Sequence, residues 1–142
     1  MYHFYELLFV SKLFDILSYN TEGLNNGMVD SNRKIPEDPL AFIQQCIIDQ
    51  KIYWTYHVNI RMKGRFISRK FILESIRCFE IIEEYPNDRY MPSYLVYSRY
   101  QGKVFHVLFA TDVEEKHVRV ITAYFPNLDE WDIDLKTRRR FQ

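Results

Sequence analysis

The 142-residue chain carries 19 basic and 19 acidic residues, so no global field draws it to a polyanion, and any nucleic-acid site must be local. Hydrophobic residues at 47% and charged residues at 27% exclude a disordered chain and favour one globular domain. Aromatics at 17%, mostly tyrosine and phenylalanine, suit strands packed on a core first and base-stacking surfaces second.

Residues 1–38 read as an N-terminal extension and linker, and 39–142 as a single compact domain. Phe4, Leu7, Leu8, Leu13, Phe14 and Leu17 fall at partly helical spacing and suggest a marginal amphipathic helix. Glu6 stands where a signal peptide needs positive charge, and Lys12 and Asp15 interrupt the apolar run. The segment is too short and too charged for a spanning helix, so a cytoplasmic protein with no membrane contact is expected. Residues 19–38 are rich in Asn, Gly, Asp and Pro, the composition of a linker.

The compact domain opens with Asp38 as a helix cap and Pro39 at the first helical position. Phe42, Ile43, Cys46 and Ile47 form one apolar stripe, predicting a helix to about Gln50. Thr55 caps a second helix, which Gly64 ends. Ser68 caps a third, with Phe71, Ile72, Ser75 and Ile76 on its inner face.

The period then changes to two. Strands are predicted over 80–85, 94–100, 103–111 and 117–124, with turns at Pro86-Asn87-Asp88, Gln101-Gly102 and Glu114-Glu115-Lys116. The expected fold is α+β, N-terminal helices followed by a four-stranded antiparallel meander. After Pro126 the chain crosses the sheet with Trp131 as an anchor and ends in a basic run, Lys136-Thr137-Arg138-Arg139-Arg140. Cys46 and Cys78, lacking any CxxC or histidine-rich neighbourhood, read as small buried hydrophobes in a reducing compartment. No metal or cofactor is expected.

His57 and Arg61 lie one helical turn apart, followed by Lys63, Arg65 and Arg69. Imidazole moves protons near neutrality, and arginines hold a phosphate and the charge building on it. Metal-independent RNA cleavage needs such a set: a base for the 2′-hydroxyl, an acid for the leaving oxygen, cations for the phosphorane. The same residues also fit a surface helix, with His57 packed on the sheet and Arg61 paired to Glu80 or Glu84. His106 shares a strand face with Val104 and Leu108, the setting of a satisfied core histidine or of a second catalytic imidazole. Simple alternation puts Thr122 and Tyr124 with Val118 and Val120, opposite Arg119. Tyr124 can donate a proton, stack on a base, or simply pack. His117, beside a turn, reads as solvent-exposed. Phosphate loops, nucleophile elbows, dinucleotide fingerprints and metal-spaced carboxylates are missing from the sequence.

Residues 52–140 resemble the bacterial and archaeal domain-of-unknown-function family 4258. The resemblance rests on Trp54-Thr55-Tyr56-His57 with Arg61, Gly64-Arg65 and Ile67-Ser68, and on Ile81-Ile82-Glu83-Glu84-Tyr85-Pro86. It continues through Pro92-Ser93-Tyr94-Leu95-Val96, Phe105-His106-Val107-Leu108, Val120-Ile121-Thr122-Ala123-Tyr124, Trp131 and Lys136-Thr137-Arg138-Arg139. The family looks similar to the RelE, BrnT and MqsR group of small messenger-RNA interferases. That resemblance implies a RelE/BrnT-like fold and a type II toxin-like endoribonuclease acting on messenger RNA, free or on the ribosome. It implies a cognate antitoxin partner, in some members with a CxxC zinc finger, and no DNA contact by the toxin itself. The resemblance implies His57, Arg61 and His106 as the catalytic positions; their surroundings in the sequence add Tyr124 to that set and put Lys63, Arg65 and Arg69 on the RNA. A non-catalytic protein- or RNA-binding module of the same fold is the alternative.

Overall fold

The computed structural model describes residues 33–140; the expected amphipathic helix and most of the linker lie outside them. Helix α1 spans Pro39–Ile48, and the Asp38 carboxylate accepts the Ala41 amide at 3.0 Å, satisfying one of the donors that a helix start leaves unpaired. It ends two residues before Gln50, which turns the chain at a left-handed φ of 59°. Strand β1, Ile52–Trp54, follows at once. Helix α2 spans Tyr56–Gly64, with the Thr55 hydroxyl accepting the Val58 amide at 3.1 Å. Helix α3 covers Arg69–Glu74 and tightens into a 3₁₀ turn at Ile76–Cys78. Ser68 precedes it but makes no side-chain capping bond, and Ser75 closes the helix while lying buried on its inner face, its hydroxyl bonded to Ser98 Oγ at 2.8 Å.

Strands β2 (Glu80–Tyr85), β3 (Ser93–Tyr100), β4 (Lys103–Asp112) and β5 (His117–Tyr124) form the expected antiparallel meander. Gln101 and Gly102, with φ of 50° and 77°, make the two-residue turn whose twist matches the flanking strands. The sheet nevertheless has five strands and is mixed: its order is β1-β5-β4-β3-β2, with β1 parallel to β5, Ile52 opposite Val118 and Trp54 opposite Val120. The four-strand expectation fails because three residues are too few to display alternation, and their partner lies far along the chain.

The three helices cover one face of the sheet. Ile43, Met62 and Ile72 pack there against Phe105, Phe109 and Val118 in one apolar core. Cys46 joins that core, but Cys78 is exposed, so only one cysteine is a buried hydrophobe. His117 is half-buried, its ring meeting Tyr53 edge-on at 4.7 Å, so the strand end is less open than expected. The other face of the sheet is covered by residues 126–140.

Two β-bulges decide what that second face carries. In β2 the register skips Ile82, placing both Glu80 and Glu83 on the face of Tyr97 and Leu95, although residues three apart in a regular strand point oppositely. In β5 it skips Ile121, so Thr122 and Tyr124 lie with Leu108 and His106, while Val118 and Val120 stay in the helix-side core. The expectation that Tyr124 shares a face with Val118 and Val120 is therefore corrected by one extra residue. Among the described residues, no helix is long and apolar enough to cross a membrane.

Candidate functional site

The second face is organised around His106, fully buried in β4, with Tyr97 and Tyr124 as its neighbours on β3 and β5. Trp131 meets the imidazole edge-on at 4.5 Å. The loop that follows is tied by Asp134, which accepts the Lys136 and Thr137 amides at 2.9 and 3.0 Å and the Thr137 hydroxyl at 2.8 Å. Those bonds hold its carboxyl below the usual carboxylate range. Leu135 takes a left-handed φ of 57° in this loop, and its carbonyl accepts from His106 Nε2 at 2.7 Å. A carbonyl only accepts, so Nε2 carries the proton and Nδ1 accepts from the Tyr124 hydroxyl at 3.2 Å.

Burial pushes the His106 pKa down to about 4, against smaller upward effects of the Leu135 carbonyl and Glu83. The imidazole is therefore neutral at physiological pH. The sign of the linkage is direct: below an unfolded-state pKa of 6.5 the unfolded chain takes up a proton that the folded chain refuses down to about 4. Stability from this group is whole above 6.5 and falls between 6.5 and 4, by on the order of 3 kcal/mol. Thermal melts across that window should show the fall in the wild type, and a His106→Gln variant should show a shallower slope.

Beside this buried row lies a more open cluster. Glu83 accepts from Arg138 Nε at 2.6 Å and Nη2 at 3.2 Å, a two-pronged pair, and also from the Tyr85 hydroxyl. Burial and the Glu83 carboxylate push the Tyr85 pKa up to about 12. Tyr124 is also raised, chiefly by burial, with Arg138 opposing. The Arg138 guanidinium stacks on Trp131 with its carbon 4.5 Å from the ring centroid. Lys136 pairs with Glu80 at 2.7 Å and lies 4.8 Å over the Tyr97 ring. The side chains of Arg138 and Glu83 are 36% and 20% exposed, and Tyr85 is 39% exposed, so solvent reaches all three.

The residues singled out in the sequence divide between two faces. His106 and Tyr124 are brought together in the buried row. His57 is exposed on α2 with its ring against Tyr56, and no contact joins it to His106. Arg61 is half-buried and Lys63 exposed on the same helix; among the described residues Arg61 pairs with neither Glu80 nor Glu84. Arg69 stacks on Trp54 and donates to the Asn59 side chain at 2.9 Å. Arg65 donates to the Thr122 hydroxyl at 3.2 Å and the Ala123 carbonyl at 2.9 Å. It thereby satisfies the β5 edge where the short β1 stops. Glu83, Tyr85 and Arg138 stand within the family-like motifs, but nothing in the sequence marks them as a cluster. Among the described residues, no three His, Cys, Asp or Glu side chains group as a metal site.

The model of a family described as a domain of unknown function, DUF4258, matches residues 54–125. The match covers α2 through β5, including Glu83, Tyr85, His106 and Tyr124, and stops short of Trp131 and Arg138. No curated protein and no solved structure matches the chain.

Proposed function

The chain belongs to the DUF4258 family, and on that premise we propose that it is a type II toxin-like endoribonuclease that cleaves messenger RNA without a metal, at Glu83, Tyr85 and Arg138. What supports this reading is one observation. A carboxylate, a phenol and a guanidinium share a single hydrogen-bonded cluster that solvent reaches.

Each group has a chemical part. Glu83 takes the proton of the RNA 2′-hydroxyl as that oxygen attacks phosphorus. Arg138 balances the charge growing on the phosphoryl oxygens. The bond from phosphorus to the 5′-oxygen breaks, and the leaving oxygen takes the Tyr85 proton; a phenol is a stronger acid than the alcohol it creates. The products are a 2′,3′-cyclic phosphate and a 5′-hydroxyl. Protonated Glu83 then returns its proton to the Tyr85 phenolate along their existing hydrogen bond. His106 and Tyr124 are positioning residues in this scheme, holding Leu135 and thus the loop that carries Arg138. His57 has no part in the step. A cognate antitoxin would neutralise the protein in the cell.

The test uses purified protein, a short ribo-oligonucleotide and excess chelator. Cyclic-phosphate ends should accumulate, a 2′-deoxy substitution at the scissile position should block cleavage, and Tyr85→Phe should slow it by about 100-fold. Intact RNA after prolonged incubation with folded protein would overturn the proposal. It would favour a second reading, a non-catalytic RNA- or protein-binding module. That reading draws support from Arg138, whose charge Glu83 already balances.

A further inference from the structure

We propose that Glu83 doubles as a built-in competitor for the substrate phosphate, so that RNA must displace it from Arg138 before cleavage begins. The inference rests on the ribonuclease reading and adds a regulation of the same site. The Nε and Nη2 atoms of Arg138 present the fork that matches two oxygens of one anion, and Glu83 fills it at 2.6 and 3.2 Å. One face of the guanidinium is against the Trp131 ring. The non-bridging oxygens of a phosphodiester have the same fork-matching geometry as a carboxylate, so the two anions compete for one edge.

The pair is suited to exchange. Its partners are 36% and 20% exposed, so water reaches the pair and weakens it relative to a fully buried one. The displaced carboxylate is not stranded, because Tyr85 still donates to it. Displacement also frees the base: the Glu83 oxygens that accept from Arg138 become available to the RNA 2′-hydroxyl. The free protein therefore holds its cation and its base mutually silenced, and phosphate binding separates them.

This arrangement separates binding from turnover in a way that a structural ion pair does not. Glu83→Gln removes the competing charge and the base together. With an uncleavable 2′-O-methyl oligonucleotide, the variant should bind roughly tenfold more tightly than the wild type. With the matching ribo-oligonucleotide, it should cleave at least about 100-fold more slowly. Glu83→Asp retains the charge but shortens its reach, and should tighten binding to a smaller degree, which guards against one variant failing to fold. Thermal melting establishes that each variant is folded.

Equal or weaker binding by both folded variants, while the wild type still cleaves RNA, overturns the competitor role and leaves the ribonuclease reading standing. A folded wild type that neither binds nor cleaves RNA overturns both.

Discussion

Arg138→Ala is expected to reduce RNA cleavage by about two to three orders of magnitude, the usual cost of deleting a group that faces developing charge. The loss has two sources. The variant lacks the cation proposed to balance the phosphoryl oxygens, and it leaves Glu83 without the two-pronged pair seen at 2.6 and 3.2 Å. It also removes the guanidinium stacked on Trp131 at 4.5 Å, loosening the end of the covering segment. Arg138→Lys separates these contributions. A lysine supplies the charge but not the fork, so it should retain solubility and part of the stability while recovering only a minor share of the activity. Initial rates and melting curves on the same preparations check both statements.

Trp131→Ala is expected to be the most destabilising single change on the covered face, by roughly 3–5 kcal/mol, the range for deleting a large core aromatic. The ring is fully buried and lies between the imidazole of His106 and the guanidinium of Arg138. Its indole N–H has no hydrogen-bond partner among the described residues, so the ring is held by its packing and by the Arg138 guanidinium rather than by a hydrogen bond of its own. Removing it exposes His106, which should raise the imidazole pKa toward its ordinary value and flatten the acid-side slope of stability. Urea unfolding at two pH values reads both effects. A loss below about 1 kcal/mol would mean that residues 126–140 are not an integral layer of the fold.

The helix-side half of the molecule was largely legible in the sequence, because its signals are local. Asp38 and Thr55 cap the helices they were expected to cap, and Ile43, Cys46 and Ile47 bury the face their spacing marks. The hairpin at Gln101-Gly102 is equally local. Strand β1 was hidden for the opposite reason: its pairing to Val118 and Val120 is non-local, and three residues carry no period. His106 was readable as a satisfied core histidine, since it sits in the middle of a regular strand.

The second face was not legible, and the bulges explain why. Each inserts one residue, Ile82 or Ile121, that looks like any other strand residue and carries no glycine or proline to mark it. Alternation read across such a point assigns every later side chain to the wrong face. Glu83 and Tyr85 therefore escape notice as partners of the sheet face that His106 occupies. Arg138 stands in an obvious basic run, but nothing in the order of residues says that it meets a carboxylate 55 positions earlier. The basic cluster on α2 and α3 has the spacing of a phosphate site, whereas two of its members, Arg65 and Arg69, are engaged in holding the β5 edge and the Trp54 ring.

On the proposed mechanism the reactive face is the one beneath residues 126–140, not the helical face. The most direct measurement is the single-turnover cleavage rate of one ribo-oligonucleotide by Tyr85→Phe and by His57→Ala, each compared with the wild type. Tyr85→Phe is expected to lose about 100-fold and His57→Ala to stay within about twofold, since His57 is exposed on the helical side. The reverse outcome, a silent Tyr85→Phe beside an inactive but folded His57→Ala, would contradict it and move the site to α2.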